Sequence, residues 1–274
     1  MSSRVPPPPF DRILPELVDD LRSGLGADLV GAYLLGSAAS GGFDPDLSDL
    51  DLLVVTARSV DEIEFDLFAG IVSRLGSREP DWAGRLDIAF IGRRTVAEFR
   101  TGGGPFVEIS HEEPLEVKRR AEDWLETWYL ARAADWPLTG PSAVTLIPPI
   151  STAEFLAAVV AGLDGFIAVR DEWSDGKVAY RVITLCRILR SLESGRLCSK
   201  VEGVDWAIDR YPDWGWLIGQ AWESRAGAYR TGLSPEARAA VLELLGLLVS
   251  EARRAAARSG LAAYSSETTA PPPV

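Results

Sequence analysis

The chain has 274 residues, 47% hydrophobic and 25% charged, which excludes a disordered or fibrous protein and leaves room for two domains with real cores. Twenty-eight basic residues against 40 acidic ones give a net charge of −12, so nucleic acid is a poor partner, whereas a cationic small molecule or a metal-escorted nucleotide suits the balance. Cys186 and Cys198 offer neither a disulfide framework nor zinc spacing and fit a reducing, cytoplasmic setting; no run approaches the ~18 apolar residues of a membrane span, so no membrane partner is expected.

Residues 1–9, with a proline run, and residues 261–274 are expected as disordered tails. Phe10, Ile13, Leu14, Leu17, Val18, Leu21 and Leu25 recur at helical spacing and predict a first helix, ended by Gly24 and Gly26. The apolar run over 29–35, closed by Gly36, predicts a buried strand, followed by a turn at Gly41, Gly42, Asp44 and Pro45 and a second strand over 49–56. Ser59 and Glu62 have capping-box spacing and predict a helix to about residue 75, and 86–91 reads as a third strand. From about residue 119 the pattern turns helical, with Trp124, Leu125, Trp128 and Tyr129 in one helix. Leu138-Thr139-Gly140-Pro141 and Ile147-Pro148-Pro149 then break the chain. Beyond the break, Ser151 with Glu154 and Ser199 with Glu202 form further capping boxes, and Ser234-Pro235 supplies an N-cap with proline at the first helical position. Helices are expected near 152–171, 178–193, 200–210, 214–227 and 235–258. The fold class is therefore α+β: a small mixed sheet flanked by helices over 10–145, then an all-α bundle over 146–260.

Asp49 and Asp51 lie on either side of Leu50, so in a strand both project from one face, roughly 7 Å apart. Two carboxylates beside an apolar run repel each other, and a divalent cation removes the conflict; their hard oxygen ligands suit Mg²⁺. Gly36-Ser37, at the end of the preceding strand, brings a close-approach glycine, backbone N–H groups and a hydroxyl suited to phosphate oxygens. Asp87 sits in the third apolar strand, where a carboxylate needs a reason. If that strand neighbours the second, three carboxylates converge on one face able to hold one or two Mg²⁺, polarise a nucleoside triphosphate and deprotonate a hydroxyl. Singly, Asp49 also reads as a turn cap, Asp51 as a solvated group at a strand edge and Asp87 as a partner of Arg85 or Arg93.

Gly36-Ser37, Asp49-Leu50-Asp51 and Asp87 resemble the signature of the polymerase-β-like nucleotidyltransferase superfamily. In the second half, Leu138-Thr139-Gly140-Pro141, the stretch from Ile147 to Ser151, Ile183-Thr184-Leu185-Cys186-Arg187, Ser194-Gly195-Arg196, Ser199-Lys200 and Asp205-Trp206-Ala207 resemble the C-terminal domain of the aminoglycoside 3″/9-adenylyltransferases. The resemblance implies AMP transfer from ATP, with Mg²⁺ (two ions), to a hydroxyl of a small cationic acceptor of the aminoglycoside type. It gives Gly36 and Ser37 to the triphosphate, Asp49 and Asp51 to magnesium, Asp87 to base or metal-assisting work, and Arg187 and Lys200 to the phosphates. On spacing alone Arg187 shares a helix face with Tyr180 and Thr184 opposite an apolar stripe, and Lys200 opposes the dipole of the helix that it opens. Trp82, Trp173 and Asp175 are candidates for the acceptor. His111, the only histidine, and the Thr101-Gly102-Gly103-Gly104 loop are assigned no chemistry. Two alternatives stay open: transfer to a protein or tRNA, and a non-catalytic nucleotide sensor.

Overall fold

The computed structural model describes residues 10–40, 43, 48–79, 82, 85–100, 104–110, 113–118, 125–167, 173–226 and 232–261. The tail over 1–9 and all but residue 261 of the C-terminal tail lie outside them, as do the turn residues Gly41, Gly42, Asp44 and Pro45, and Thr101–Gly103, His111 and Trp124. The chain divides into two compact units, Met1–Ile150 and Ser151–Val274. The division falls at Ile150 rather than 145 because three arginine contacts tie the intervening stretch backwards. Arg132 donates to the carbonyls of Val144 (2.7 Å) and Ile147 (2.6 Å), and Arg100 donates to that of Pro149 (2.6 Å).

In the first unit, α1 (Phe10–Leu25) leads into β1 (Leu29–Leu34), then α2 (Gly36–Ser40) and β2 (Leu50–Thr56). Next come α3 (Phe65–Arg78), β3 (Leu86–Gly92), α4 (Arg93–Ala97), β4 (Phe106–Ser110), β5 (Glu113–Lys118), α5 (Leu125–Ala134), β6 (Pro137–Thr139) and α6 (Ala143–Leu146). One six-stranded sheet has the order β5-β4-β3-β2-β1-β6. β2 and β3 run parallel, joined by α3, and the other neighbouring pairs are antiparallel. The three expected strands are its centre; β4, β5 and β6 were not anticipated. The Leu138-Thr139-Gly140-Pro141 break is where β6 ends: Gly140, at φ +91°, lies so close to β1 that a Cβ would stand 2.4 Å from the Val30 carbonyl oxygen.

All seven periodic residues of α1 are buried, and six of them, all but Val18, join Phe68, Ile71 and Leu75 of α3 in covering the sheet face formed by Leu50, Leu52, Val54, Leu86, Ile88 and Phe90. At about 1.5–3 kcal/mol for each large apolar side chain, this layer dominates the stability of the unit. Arg74 and Arg78 of α3 pair with Asp20 of α1 across it. The expected capping box at Ser59 is a correction. Ser59 precedes a short 3₁₀ turn, Val60–Glu62, with no side-chain cap, and α3 starts only at Phe65.

The second unit is helical: α7 (Thr152–Ala161), α8 (Asp164–Ile167), α9 (Asp175–Ser194), α10 (Lys200–Arg210), α11 (Gly215–Ala226) and α12 (Pro235–Arg258). The expected capping serines all cap their helices, but the box expected at Ser199 is only half formed, because the Glu202 carboxylate pairs with Arg196 instead. Ser151 and Glu154 close a full capping box, and the side chains of Ser199 and Ser234 accept from Glu202 N and Ala237 N (both 3.1 Å). The single helix expected over 152–171 is instead α7 and α8, separated at Gly162 and Leu163. α9 is the centre of this unit, packed by α10, α11 and α12. Among the described residues no helix is long and apolar enough to cross a membrane.

Candidate active site

The parallel pairing of β2 and β3 sets Asp51 directly opposite Asp87, with Leu50 opposite Leu86 and Leu52 opposite Ile88. Residues in register on neighbouring strands share a face and stand about 4.8 Å apart along the backbone. On both strands the flanking residues are buried in the α1–α3 core while the aspartate is half-buried. The alternation that inserts the leucines and isoleucine into the core therefore turns both carboxylates to the other face. Asp49 stands just before β2, about 6.7 Å back along the chain.

Gly36 completes this corner. It has φ +60°, a left-handed conformation that costs other residues about 1–2 kcal/mol, and a Cβ there would lie 1.8 Å from Asp51 Oδ2. Only the backbone of a glycine admits the Asp51 carboxylate this close. Leu35 N donates to the Asp51 carbonyl (2.9 Å), fixing the end of β1 beside β2, and Ser37 follows in the first turn of α2. Gly36, Ser37, Asp51 and Asp87 thus come to one end of the central strands.

Arg85, which the sequence offered only as a partner for Asp87, holds the residues on either side of Asp49. Its guanidinium donates to the Ser48 carbonyl and stacks over Trp82 (4.3 Å to the ring centroid), while its own carbonyl accepts from Leu50 N (2.8 Å). Ser48 is itself buried at 2% exposure. Trp82 is accordingly no acceptor-lining residue. It is 5% exposed, packed against Phe10 (5.5 Å between rings) and Phe43 (6.2 Å), and this is a correction with a plain cause: residues distant in sequence close over it.

Among the described residues no group of three His, Cys, Asp or Glu side chains forms a ready-made metal cage. Mg²⁺ is usually held by one or two carboxylates, with water and substrate phosphates completing its octahedron. The carboxylates of Asp51 and Asp87 in register, with Asp49 adjacent, are the right donors for such a partial site.

In the second unit, Arg187 lies on α9 and Lys200 opens α10, the helix packed against it. Gly203 of α10 lies against the backbone of α9 at Arg187, where a Cβ would meet Arg187 Cα at 2.5 Å, and this close crossing carries Lys200 with it. The Lys200 ammonium sits 4.6 Å from the centroid of the Tyr180 ring. The expected polar face of α9 is narrower than its spacing suggests. α9 is enclosed on most sides, so Thr184 is buried at 4% exposure and its hydroxyl has no hydrogen-bond partner; Tyr180 and Arg187 emerge. Burial of the Cys186 thiol on the same helix pushes its pKa up to about 12.

Trp173 and Asp175 are engaged within this unit. Arg181 stacks over the Trp173 ring at 3.9 Å, and burial lowers the pKa of that guanidinium. Asp175, in the first turn of α9, pairs with Arg238 (2.5 Å) and accepts from Leu233 N (3.0 Å), fastening α9 to the start of α12.

A family model described as the nucleotidyltransferase domain matches residues 14–104, and one described as the aminoglycoside adenylyltransferase C-terminal domain matches residues 145–251. Proteins named spectinomycin 9-adenylyltransferase from Staphylococcus aureus strains Mu50 and N315 are each 26% identical over 217 residues, covering 72% of this chain and 76% of theirs. A crystal structure of a spectinomycin adenyltransferase from Enterococcus faecialis, solved with ATP and spectinomycin, shares the fold at a TM-score of 0.67 and 16% identity, over 87% of this chain and 98% of that one. With the first model spanning β2 and β3, which carry Asp51 and Asp87, and the second spanning the helices that carry Arg187 and Lys200, the chain carries a nucleotidyltransferase domain and an aminoglycoside adenylyltransferase C-terminal domain and is a nucleotidyltransferase.

Proposed function

We propose that the protein transfers AMP from ATP to a hydroxyl of an aminoglycoside-type antibiotic of the spectinomycin class, releasing pyrophosphate, and so confers resistance. The observation that carries this reading is the register of Asp51 with Asp87 beside the glycine corner at Gly36. In the reaction the acceptor oxygen bonds the α-phosphorus, the bond from that phosphorus to the bridging oxygen breaks, and pyrophosphate leaves with its electron pair. Asp87 receives the acceptor proton, general-base work worth about 10²–10⁴-fold in rate. Gly36 and Ser37 offer backbone N–H groups and a hydroxyl to the triphosphate. Asp49 and Asp51, with Asp87, would hold Mg²⁺, which when bound supplies Lewis-acid stabilisation of the phosphoryl charge. Arg187 and Lys200 supply cations for the phosphates. The net charge of −12 favours a cationic acceptor, and two unpaired buried cysteines support a reducing, cytoplasmic setting.

Pyrophosphate release from ATP and Mg²⁺ with spectinomycin or streptomycin as acceptor tests the reading. Turnover is expected with spectinomycin, and Asp49→Asn or Asp51→Asn should abolish it while the protein still folds. Near-normal turnover in either variant, or turnover only with a protein or tRNA acceptor, overturns it.

A further inference from the structure

The Tyr180–Lys200 contact has no role in the core. Tyr180 is 50% exposed, while Val178 and Ala179 beside it are fully buried, so its ring contributes little to the packing of α9. It nevertheless lies on the face that carries Arg187, two turns further along, and has the Lys200 ammonium 4.6 Å from its centroid. Lys200 is the first residue of α10, behind the N-cap Ser199. There the positive end of the helix dipole repels its charge, and its four-carbon stem carries about 2 kcal/mol of rotamer entropy that any fixed contact must offset. The Tyr180 ring gives that charge a face to rest on and limits the stem's freedom.

We propose that Tyr180 is a positioning residue, whose ring holds the Lys200 ammonium in the place where a nucleotide phosphate takes it up. The inference rests on the reading of Lys200 as a phosphate ligand. The ring does not touch the nucleotide; it lowers the entropic cost of engaging the lysine. An exposed cation–π contact sets the scale, about a two- to fivefold change in ATP affinity. Phenylalanine keeps the π face and should serve; leucine keeps apolar bulk but lacks it.

Two measurements on the full chain test this. In ATP·Mg²⁺ titrations, Tyr180→Leu is expected to weaken binding about two- to fivefold, with the loss falling on the ATP KM rather than on kcat, and Tyr180→Phe should recover it. In a Lys200→Met background, Tyr180→Leu should have no further effect. The second measurement is NMR of ¹³C-methylated lysines, readable because the chain has only three, Lys118, Lys177 and Lys200. The Lys200 signal should show an upfield ring-current shift that Tyr180→Leu abolishes and Tyr180→Phe retains. A Lys200 signal that does not move in Tyr180→Leu, or an equal loss of ATP affinity with and without the lysine, overturns the role of Tyr180. Unchanged ATP affinity in Lys200→Met overturns instead the phosphate reading of Lys200.

Discussion

Gly203→Ala tests how closely α10 is seated on α9. The added Cβ would stand 2.5 Å from Arg187 Cα, 2.6 Å from Arg187 N and 3.0 Å from the Cys186 carbonyl carbon, all backbone atoms that cannot swing aside. Restoring ordinary contact requires α10 to withdraw by about 1 Å at the crossing, and overpacking of this kind costs about 1–3 kcal/mol. The intrinsic preference of a helix for alanine over glycine returns about 1 kcal/mol. The net expectation is a destabilisation of up to about 2 kcal/mol, a fall of several degrees in Tm. The withdrawal would also separate Lys200 from Tyr180 and from Arg187, so the ATP KM should rise and the ring-current shift of the Lys200 methyls should shrink. Thermal unfolding by circular dichroism, with ATP titration of the same preparation, checks both. A rise in Tm with unchanged ATP affinity would mean that propensity alone governs the site and would refute the close crossing.

Gly36→Ala combines a left-handed backbone with a Cβ 1.8 Å from Asp51 Oδ2, so it should cost about 1–2 kcal/mol in chemical denaturation and displace the Asp51 carboxylate, raising the Mg²⁺ concentration needed for half-maximal turnover. Asp87→Asn keeps size but cannot accept a proton; turnover should fall about 10²–10⁴-fold with ATP·Mg²⁺ affinity near wild type in calorimetry, and Asp87→Glu should restore part of the rate. Asp28 and Glu202 are held below their usual pKa by hydrogen bonds from Arg58 and Arg196, so each contributes stability that is present above about pH 4 and lost as pH falls through its lowered value. The fall in Tm between pH 6 and pH 3 should therefore shrink in Arg58→Gln and Arg196→Gln. Burial that pushes Cys186 up to about 12 should keep it unreactive towards a thiol reagent at pH 8 until denaturant is added.

What could be read from the sequence was whatever local chemistry decides. The bounds of α10 and α12 follow from Ser199 and Ser234, whose hydroxyls stop the helix where the periodicity starts. Asp51 and Asp87 stood out because each breaks an apolar run, and their meeting needed only that two parallel strands be neighbours. Structure created by distant partners could not be read. β6 is three residues long and exists because β1 offers it hydrogen bonds, and β4 and β5 alternate apolar and acidic residues too briefly to outweigh a loop reading. Trp82 looked available for a ligand in a glycine- and proline-rich stretch, yet Phe10 and Phe43 bury it. The brace from Arg85 to Ser48 joins residues 37 apart in sequence and has no local signature at all. α9 suggested one polar face, but a helix packed by three others leaves few positions outside.

The register that unites Asp51 with Asp87 also says where the gene tolerates changes in length. The two carboxylates are matched by rungs of a ladder, from Leu50 with Leu86 to Thr56 with Gly92, and not by the count of residues that separates them. An insertion or deletion in the connection through α3 leaves that ladder untouched, provided that the helix still covers the core. A single residue added within β3 upstream of Asp87 would send the aspartate to the opposite face, among the leucines, and deliver its hydrophobic neighbour to the carboxylate side. Indels in this enzyme should accordingly collect in the crossover and be purged from the strands, a pattern that a library of random one-residue insertions, selected on antibiotic, would reveal.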